Sequence, residues 1–137
     1  MLVSLVDAKA IGGLTVNELN PLRIEVLKWL HQGEDTEVTG EDALTRTVDG
    51  PYARIVTNPL FMPAPARMYG GYTLKKLDHQ IVAHSLNQLA PDGQAVVIVG
   101  ANTERFQGVG RASDTDWLFM NFLYNHFNVK DNYIIDG

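Results

Sequence analysis

Ala53-Arg54-Ile55-Val56-Thr57-Asn58-Pro59-Leu60-Phe61 is the stretch on which the reading of this chain turns. Ile55, Val56 and Thr57 are β-branched, and the run from Ala53 to Thr57 predicts a buried strand. Asn58-Pro59 ends it, because the residue before a proline is pushed out of helical space and the proline ring removes a donor. The strand tip so formed carries an amide, an exposed carbonyl and an aromatic ring. Open α/β sheets bind ligands outside the carboxyl ends of their strands. The Asn58 amide oxygen and the Pro59 carbonyl can both accept from an –NH₂ group, while Phe61 stacks on the flat heterocycle that bears it. Asn-Pro after a strand also serves as a plain turn, so the neighbouring elements have to decide between the two.

On the N-terminal side, Leu14-Thr15-Val16-Asn17-Glu18-Leu19 predicts a short strand. Asn20 then caps a helix with Pro21 at its first position, and Leu22, Ile24, Val26, Leu27 and Leu30 supply its buried face. Thr36-Glu37-Val38-Thr39 predicts a second strand leading to Gly40-Glu41-Asp42, and Asp49-Gly50-Pro51 a turn. On the C-terminal side, the prolines of Met62-Pro63-Ala64-Pro65 and the pair Gly70-Gly71 predict a loop from Met62 to Gly71. Leu74, Leu77, Ile81, Val82, Leu86 and Leu89 follow helical spacing, with Pro91-Asp92-Gly93 as the stop. Gln94-Ala95-Val96-Val97-Ile98-Val99 is a continuous apolar run of the kind found in strands buried on both faces. Phe106 to Gly110 reads as a glycine-punctuated loop. Ser113 or Asp114 can cap a helix running to about Phe127, with Trp117, Leu118, Phe122 and Leu123 inward, and Tyr133-Ile134-Ile135 closes as a strand. Strand and helix alternate throughout, which predicts an α/β fold: a Rossmann-like, mainly parallel sheet with flanking helices, in one domain over residues 1–137.

Composition narrows the classes. The chain has 137 residues, 45% hydrophobic and 20% charged, which suits one globular domain with a real core. With no cysteine it has neither a disulfide framework nor a Cys-based zinc site. His79 and His84 are five apart, off the i, i+4 pitch that aims two imidazoles at one metal, so no metal is expected. No apolar run approaches the ~18 residues of a membrane helix, and the N-terminus lacks the marks of a signal peptide, so a cytoplasmic location is the expectation. A net charge of −5 with no basic cluster beyond Lys75-Lys76 argues against a self-sufficient nucleic-acid binder. It leaves room for a catalytic domain whose grip on DNA comes from elsewhere. Trp29 and Trp117 read as packing residues. Arg105 to Arg111 reads first as a solvated connection and second as a mobile substrate-contacting loop with two cations, and Tyr69-Gly70-Gly71-Tyr72 as a segment able to lid the strand tip.

Two acidic residues recur at strand ends. Glu18 ends the first strand and Asp42 follows the second, in the same order along the chain as the Asn58 tip after the third. A strand-end carboxylate can accept from both ribose hydroxyls, and a neighbouring one from an adenine amine. The plainer readings are a helix-start charge for Glu18 and a cap for Asp42.

On Asn17-Glu18-Leu19-Asn20-Pro21-Leu22-Arg23, Glu41-Asp42-Ala43-Leu44 and Ile55-Val56-Thr57-Asn58-Pro59-Leu60-Phe61, the chain resembles the amino-methyltransferases that use S-adenosylmethionine, particularly the N6-adenine DNA methyltransferases. From Gly71 to Ile98, and again at Asp116-Trp117-Leu118-Phe119 and from Tyr124 to Val129, it is similar to the methyltransferase-like segments of phage and plasmid anti-restriction proteins. The resemblance implies that Glu18 binds the cofactor ribose and Asp42 its adenine. It implies that Asn58 and the Pro59 carbonyl hold the target amine beside the methyl donor, and that Phe61 stacks on a flipped base. The implied function is DNA adenine-N6 methylation within a restriction-modification or anti-restriction system. The alternatives are a non-catalytic interaction module of the same descent and, behind it, methylation of another planar amine such as a protein glutamine or an RNA adenine.

The chain departs from the family pattern in two places. Leu60 stands where the family has a more rigid residue, which frees φ and restores an N–H. Only seventeen residues precede Glu18, too few for the family's first strand and glycine-rich cofactor loop, and Gly12-Gly13 lies too close to the Leu14 strand to replace that loop. The expectation is an incomplete class I methyltransferase fold, impaired alone, whose central sheet position is filled by the remaining chain, by a protein partner or by re-paired strands.

Overall fold

The structure is a computed structural model and describes residues 12–46, 51–100 and 115–135. It is mixed α/β, with three helices and three two-stranded sheets among the described residues, two parallel and one antiparallel. The chain divides into two compact units, Met1–Thr47 and Val48–Gly137.

In the first unit, β1 (Leu14–Asn17) pairs in parallel with β2 (Thr36–Thr39), Leu14 opposite Thr36 and Asn17 opposite Thr39, with α1 (Pro21–Leu30) as the crossover. The sequence expectation for the start of α1 holds. Asn20 Oδ1 accepts from the Leu22 and Arg23 amides at 3.0 and 3.2 Å, satisfying two of the donors a helix start leaves open, and Pro21 sits at N1. The expected apolar face does not: no residue of α1 is buried, and Leu22 is 76% and Trp29 67% exposed. Two four-residue strands are too small a platform for a ten-residue helix, so only Ile24 and Leu27 are half-covered.

The second unit carries the core. β3 (Tyr52–Thr57) pairs in parallel with β6 (Leu89–Val97), Ile55 opposite Ala95 and Thr57 opposite Val97. β4 (Pro63–Tyr69) and β5 (Tyr72–Lys76) form an antiparallel hairpin, followed by α2 (Leu77–Leu86). α3 (Thr115–His126) packs on β5. Leu74, Val82, Ala83, Leu86, Phe119 and Phe122 are buried together, with Tyr72, Ala95 and Val97 against them.

Several expectations are corrected here. The loop expected from Met62 to Gly71 is mostly strand β4: Gly70 and Gly71, at φ 53° and 85°, make the tight turn of the hairpin instead of a mobile lid. Prolines 63 and 65 are tolerated because the register of β4 breaks between Pro63 and Arg67 and its neighbour there is β5 alone. Leu74 and Leu89 fall in strands, leaving α2 one turn shorter at each end than the spacing predicts. Pro91-Asp92-Gly93 does not stand outside β6 but is absorbed by an irregularity between the Tyr52 and Arg54 pairings. Neither β3 nor β6 is buried on both faces: Val56 and Val96, opposite each other, are each 62% exposed. The apolar run reflects one covered face, under α2, and one open. Tyr133, Ile134 and Ile135 are exposed and form no strand. In place of the one expected sheet, the described residues form three separate two-stranded pairs. The turn at Asp49-Gly50, the Phe106 loop with Arg105 to Arg111, and the Ser113 or Asp114 cap lie outside the described residues.

The hairpin turn makes one stability prediction. A Cβ on Gly70 would lie 2.6 Å from His126 Nε2 and 3.2 Å from Phe122 Cε2, at a left-handed φ. Gly70→Ala is expected to destabilise the protein by about 2 kcal/mol through backbone strain and displacement of the α3 end. Urea unfolding with an unchanged m-value measures it, and a variant within experimental error of wild type would show that α3 does not close on this turn.

Candidate functional site

β3 and β6 run parallel, so their carboxyl ends lie side by side, and the ladder continues one step past them through Ile98 N–H donating to Thr57 O at 3.0 Å. Asn58 and Pro59 leave the sheet at this tip. Asn58 is exposed and its side chain makes no hydrogen bond among the described residues, so its amide is open to a ligand. Phe61 is 51% exposed. Its ring lies on the backbone of Gly100: a Cβ there would stand 2.9 Å from Phe61 Cγ. Phe61 therefore packs against Gly100 at the base of its ring while half of its surface stays open. The first turn of α2 holds the tip from behind, with Leu77 N–H donating to Met62 O at 2.8 Å and Gly100 N–H donating to Asp78 Oδ2 at 2.9 Å.

Glu18 and Asp42 belong to the first unit, at the carboxyl ends of the parallel pair β1 and β2. Asn17 joins those ends, its Oδ1 accepting from Thr39 Oγ1 at 2.9 Å and from the Glu41 amide at 3.0 Å. Glu18 Oε1 accepts from the Asn20 amide at 2.9 Å and Oε2 lies 3.5 Å from the Arg23 guanidinium. Asp42 Oδ1 accepts from the Leu44 amide at 2.9 Å. Both carboxylates thus already serve their own helix or turn starts, as the plainer readings have it. Each keeps accessible surface at a strand end. The residues named from the sequence are divided between the two units: Glu18 and Asp42 are brought to neighbouring strand ends in one, Asn58, Pro59 and Phe61 together in the other.

Sequence reasoning missed a buried polar cluster directly behind the tip. Asp78, His79 and Gln80, consecutive at the start of α2, are wholly inaccessible, and Asp116 of α3 is nearly so. Lys76 Nζ donates to Asp116 Oδ1. His79 Nε2 lies 3.6 Å from Asp116 Oδ1 and 3.8 Å from Asp78 Oδ2, and its ring stacks on Phe119 with centroids 4.1 Å apart. Gln80 Nε2 donates to Pro65 O at 2.6 Å and Leu74 O at 2.9 Å, tying the hairpin to α2. The signal available in the sequence was the polar triplet Asp78-His79-Gln80 inside a segment with helical apolar spacing. Among the described residues no group of His, Asp and Glu has the arrangement of a metal site, and no helix is long and apolar enough to cross a membrane.

Burial lowers the His79 pKa from 6.5 to about 4; the Asp78 and Asp116 carboxylates oppose the shift and Lys76 adds to it. The unfolded imidazole takes its proton near pH 6.5 and the folded one only near 4, so the unfolded state holds the extra proton in between. Stability is therefore expected to fall as pH drops from about 6.5 to 4, by about 3 kcal/mol from this group, and to be indifferent to it above that window. His79→Gln should flatten this part of the urea-unfolding pH profile. Identical slopes for the two proteins would refute the assignment.

No family model, no curated protein and no solved structure matches this chain.

Proposed function

We propose that the chain carries a degenerate Rossmann-like methyltransferase fold, impaired by itself, whose chemistry is transfer of a methyl group from S-adenosylmethionine to the exocyclic N6 amine of adenine in DNA. The observation that carries the reading is the strand tip: Asn58-Pro59-Leu60-Phe61 follows β3 at the carboxyl end of a parallel pair, with the amide open and the ring laid on Gly100. Two parallel pairs, each with acidic or amide groups at its carboxyl ends, are what supports the Rossmann-like part.

S-adenosylmethionine, when bound, supplies an electrophilic methyl group and keeps the electron pair of the broken S–C bond on its sulfur. The chain's part is positioning. Asn58 Oδ1 and the Pro59 carbonyl accept the two amine hydrogens and turn the nitrogen lone pair away from the ring, toward the methyl. Phe61 holds the base plane. The proton displaced from nitrogen passes to water, so no strongly shifted base is needed at the tip. For the methyl donor, the donor set fits in part. Glu18 and Asp42 stand at adjacent strand ends with accessible carboxylate surface, suited to ribose hydroxyls and an adenine amine. Leu60 supports a looser loop than a second rigid residue would. A net charge of −5 means that the grip on DNA phosphates comes from a partner or from further chain.

The test is tritiated methyl transfer from S-adenosylmethionine to unmethylated DNA, with calorimetry of S-adenosylmethionine binding. N6-methyladenine in the product supports the reading. Neither binding nor transfer, with a partner segment supplied, sinks it.

A second reading, a non-catalytic interaction module of an anti-restriction or other phage or plasmid protein, is favoured by one observation. Val56 and Val96 leave an apolar strip open on the β3–β6 pair, a surface that a partner chain can cover. Loss of that exposure on complex formation, without methyl transfer, would favour it.

A further inference from the structure

We propose that Asp78 is a positioning residue of the strand-tip site: its buried carboxylate holds the Gly100 amide, and Gly100 is the floor on which the Phe61 ring lies. The functional meaning of this rests on the methyltransferase reading, whereas the geometry does not.

A carboxylate in the first turn of a helix has an ordinary purpose, the favourable interaction with the helix dipole. That purpose does not require burial, and Asp78 is wholly inaccessible. Taking a carboxylate out of water is costly unless hydrogen bonds replace the lost solvation. Asp78 spends Oδ2 on Gly100 N–H at 2.9 Å, while Oδ1 has no hydrogen-bond partner among the described residues. The side chain is thus committed to one amide at a disadvantage to itself. Gly100 lies beyond the last ladder bond of β6, which ends at Ile98 N–H to Thr57 O, so its N–H would otherwise lack a partner in the sheet.

Gly100 is a glycine for a reason other than backbone freedom, since it is not among the residues with positive φ. A Cβ there would stand 2.9 Å from Phe61 Cγ and 3.1 Å from Phe61 Cβ. Only a bare backbone lets the ring lie so close, and only a fixed backbone keeps the ring in one place. The same turn of α2 fixes the other flank, through Leu77 N–H and Met62 O at 2.8 Å. Adjacent residues of one helix start therefore hold the end of the tip directly, at Met62, and its neighbour Gly100, against which Phe61 packs. A displacement of about an ångström at a reacting group costs orders of magnitude in rate, which gives the buried carboxylate its use.

The experiment uses the full chain labelled with 4-fluorophenylalanine, the Phe61 fluorine resonance being assigned through Phe61→Leu. Asp78→Leu should move the Phe61 resonance and speed hydrogen exchange at the Gly100 amide about tenfold or more, the loss expected when a charged acceptor is removed. Asp78→Asn, which keeps an acceptor, should restore both toward wild type. Gly100→Ala should move the Phe61 resonance with Asp78 intact. In the methyl-transfer assay, Asp78→Leu should lower kcat/KM for DNA about tenfold with S-adenosylmethionine affinity unchanged, a split that general destabilisation does not produce. A folded Asp78→Leu protein with an unmoved Phe61 resonance overturns the proposal. If that variant does not fold, a Gly100 amide that exchanges at the unprotected rate in the wild-type chain overturns it as well. Movement of Phe61 without methyl transfer by any form of the protein upholds the positioning and fails the enzymatic reading instead.

Discussion

Asn58→Ala is expected to lower methyl transfer to adenine by about a hundredfold, the usual scale for deleting one preorganised hydrogen-bonding group at a reacting centre. The loss should fall mainly on kcat. Asn58 accepts from the amine most strongly as positive charge develops on nitrogen, so it stabilises the transition state more than the bound substrate. Stability should change by no more than about 0.5 kcal/mol, because the side chain is exposed and makes no hydrogen bond among the described residues. Single-turnover methyl transfer beside urea unfolding separates the two effects. Wild-type rates in Asn58→Ala would mean that the tip is the plain turn that Asn-Pro often makes. Phe61→Leu provides the companion measurement, since it removes the stacking plane and keeps the two acceptors, and should raise KM for DNA more than it lowers kcat.

Phe119→Ala should cost about 3–5 kcal/mol, the range for truncating a fully buried aromatic. Phe119 is wholly inaccessible, stacks on His79 and faces Phe122 at 6.4 Å between centroids. The described residues of its unit share one core, so the void has little else to close on. A loss of this size is comparable with the whole stability of many domains, and the variant is expected to unfold near physiological temperature. Differential scanning calorimetry measures it. A loss below about 1 kcal/mol would mean that α3 does not close the core. Phe119→Leu keeps much of the volume and should recover over half of the loss.

Local signals in the chain were legible where local physics suffices. Asn20-Pro21 specifies a helix start by itself, because a side-chain oxygen and a preset φ act within three residues, and the structure has that cap bonded as expected. β1, β2 and the end of β3 fall where their β-branched runs place them. Gly70-Gly71 between Arg67-Met68-Tyr69 and Tyr72-Thr73-Leu74 was an equally local hairpin signal. The prolines at 63 and 65 argue against a strand there, yet an irregular edge strand accommodates them.

Which apolar residues are covered was not legible. Leu22, Val26 and Trp29 have the spacing of a buried face and lie open, while Asp78, His79 and Gln80 are polar and wholly buried. Burial depends on what a residue's neighbours in space supply, and those neighbours come from distant parts of the chain: Asp116 and Phe119 reach His79 from some 40 residues away. The sequence by itself determined the chemistry of the strand tip, because an amide, a carbonyl and a ring in consecutive positions need only the end of a strand to be displayed together. Only the tertiary structure decided what stands behind that tip. The parallel pairing of β3 with β6 brings Gly100 under Phe61, and the start of α2 brings a buried carboxylate to Gly100. Contacts of that kind join residues 22 to 39 positions apart, across two strands and a helix, and no local pattern encodes them.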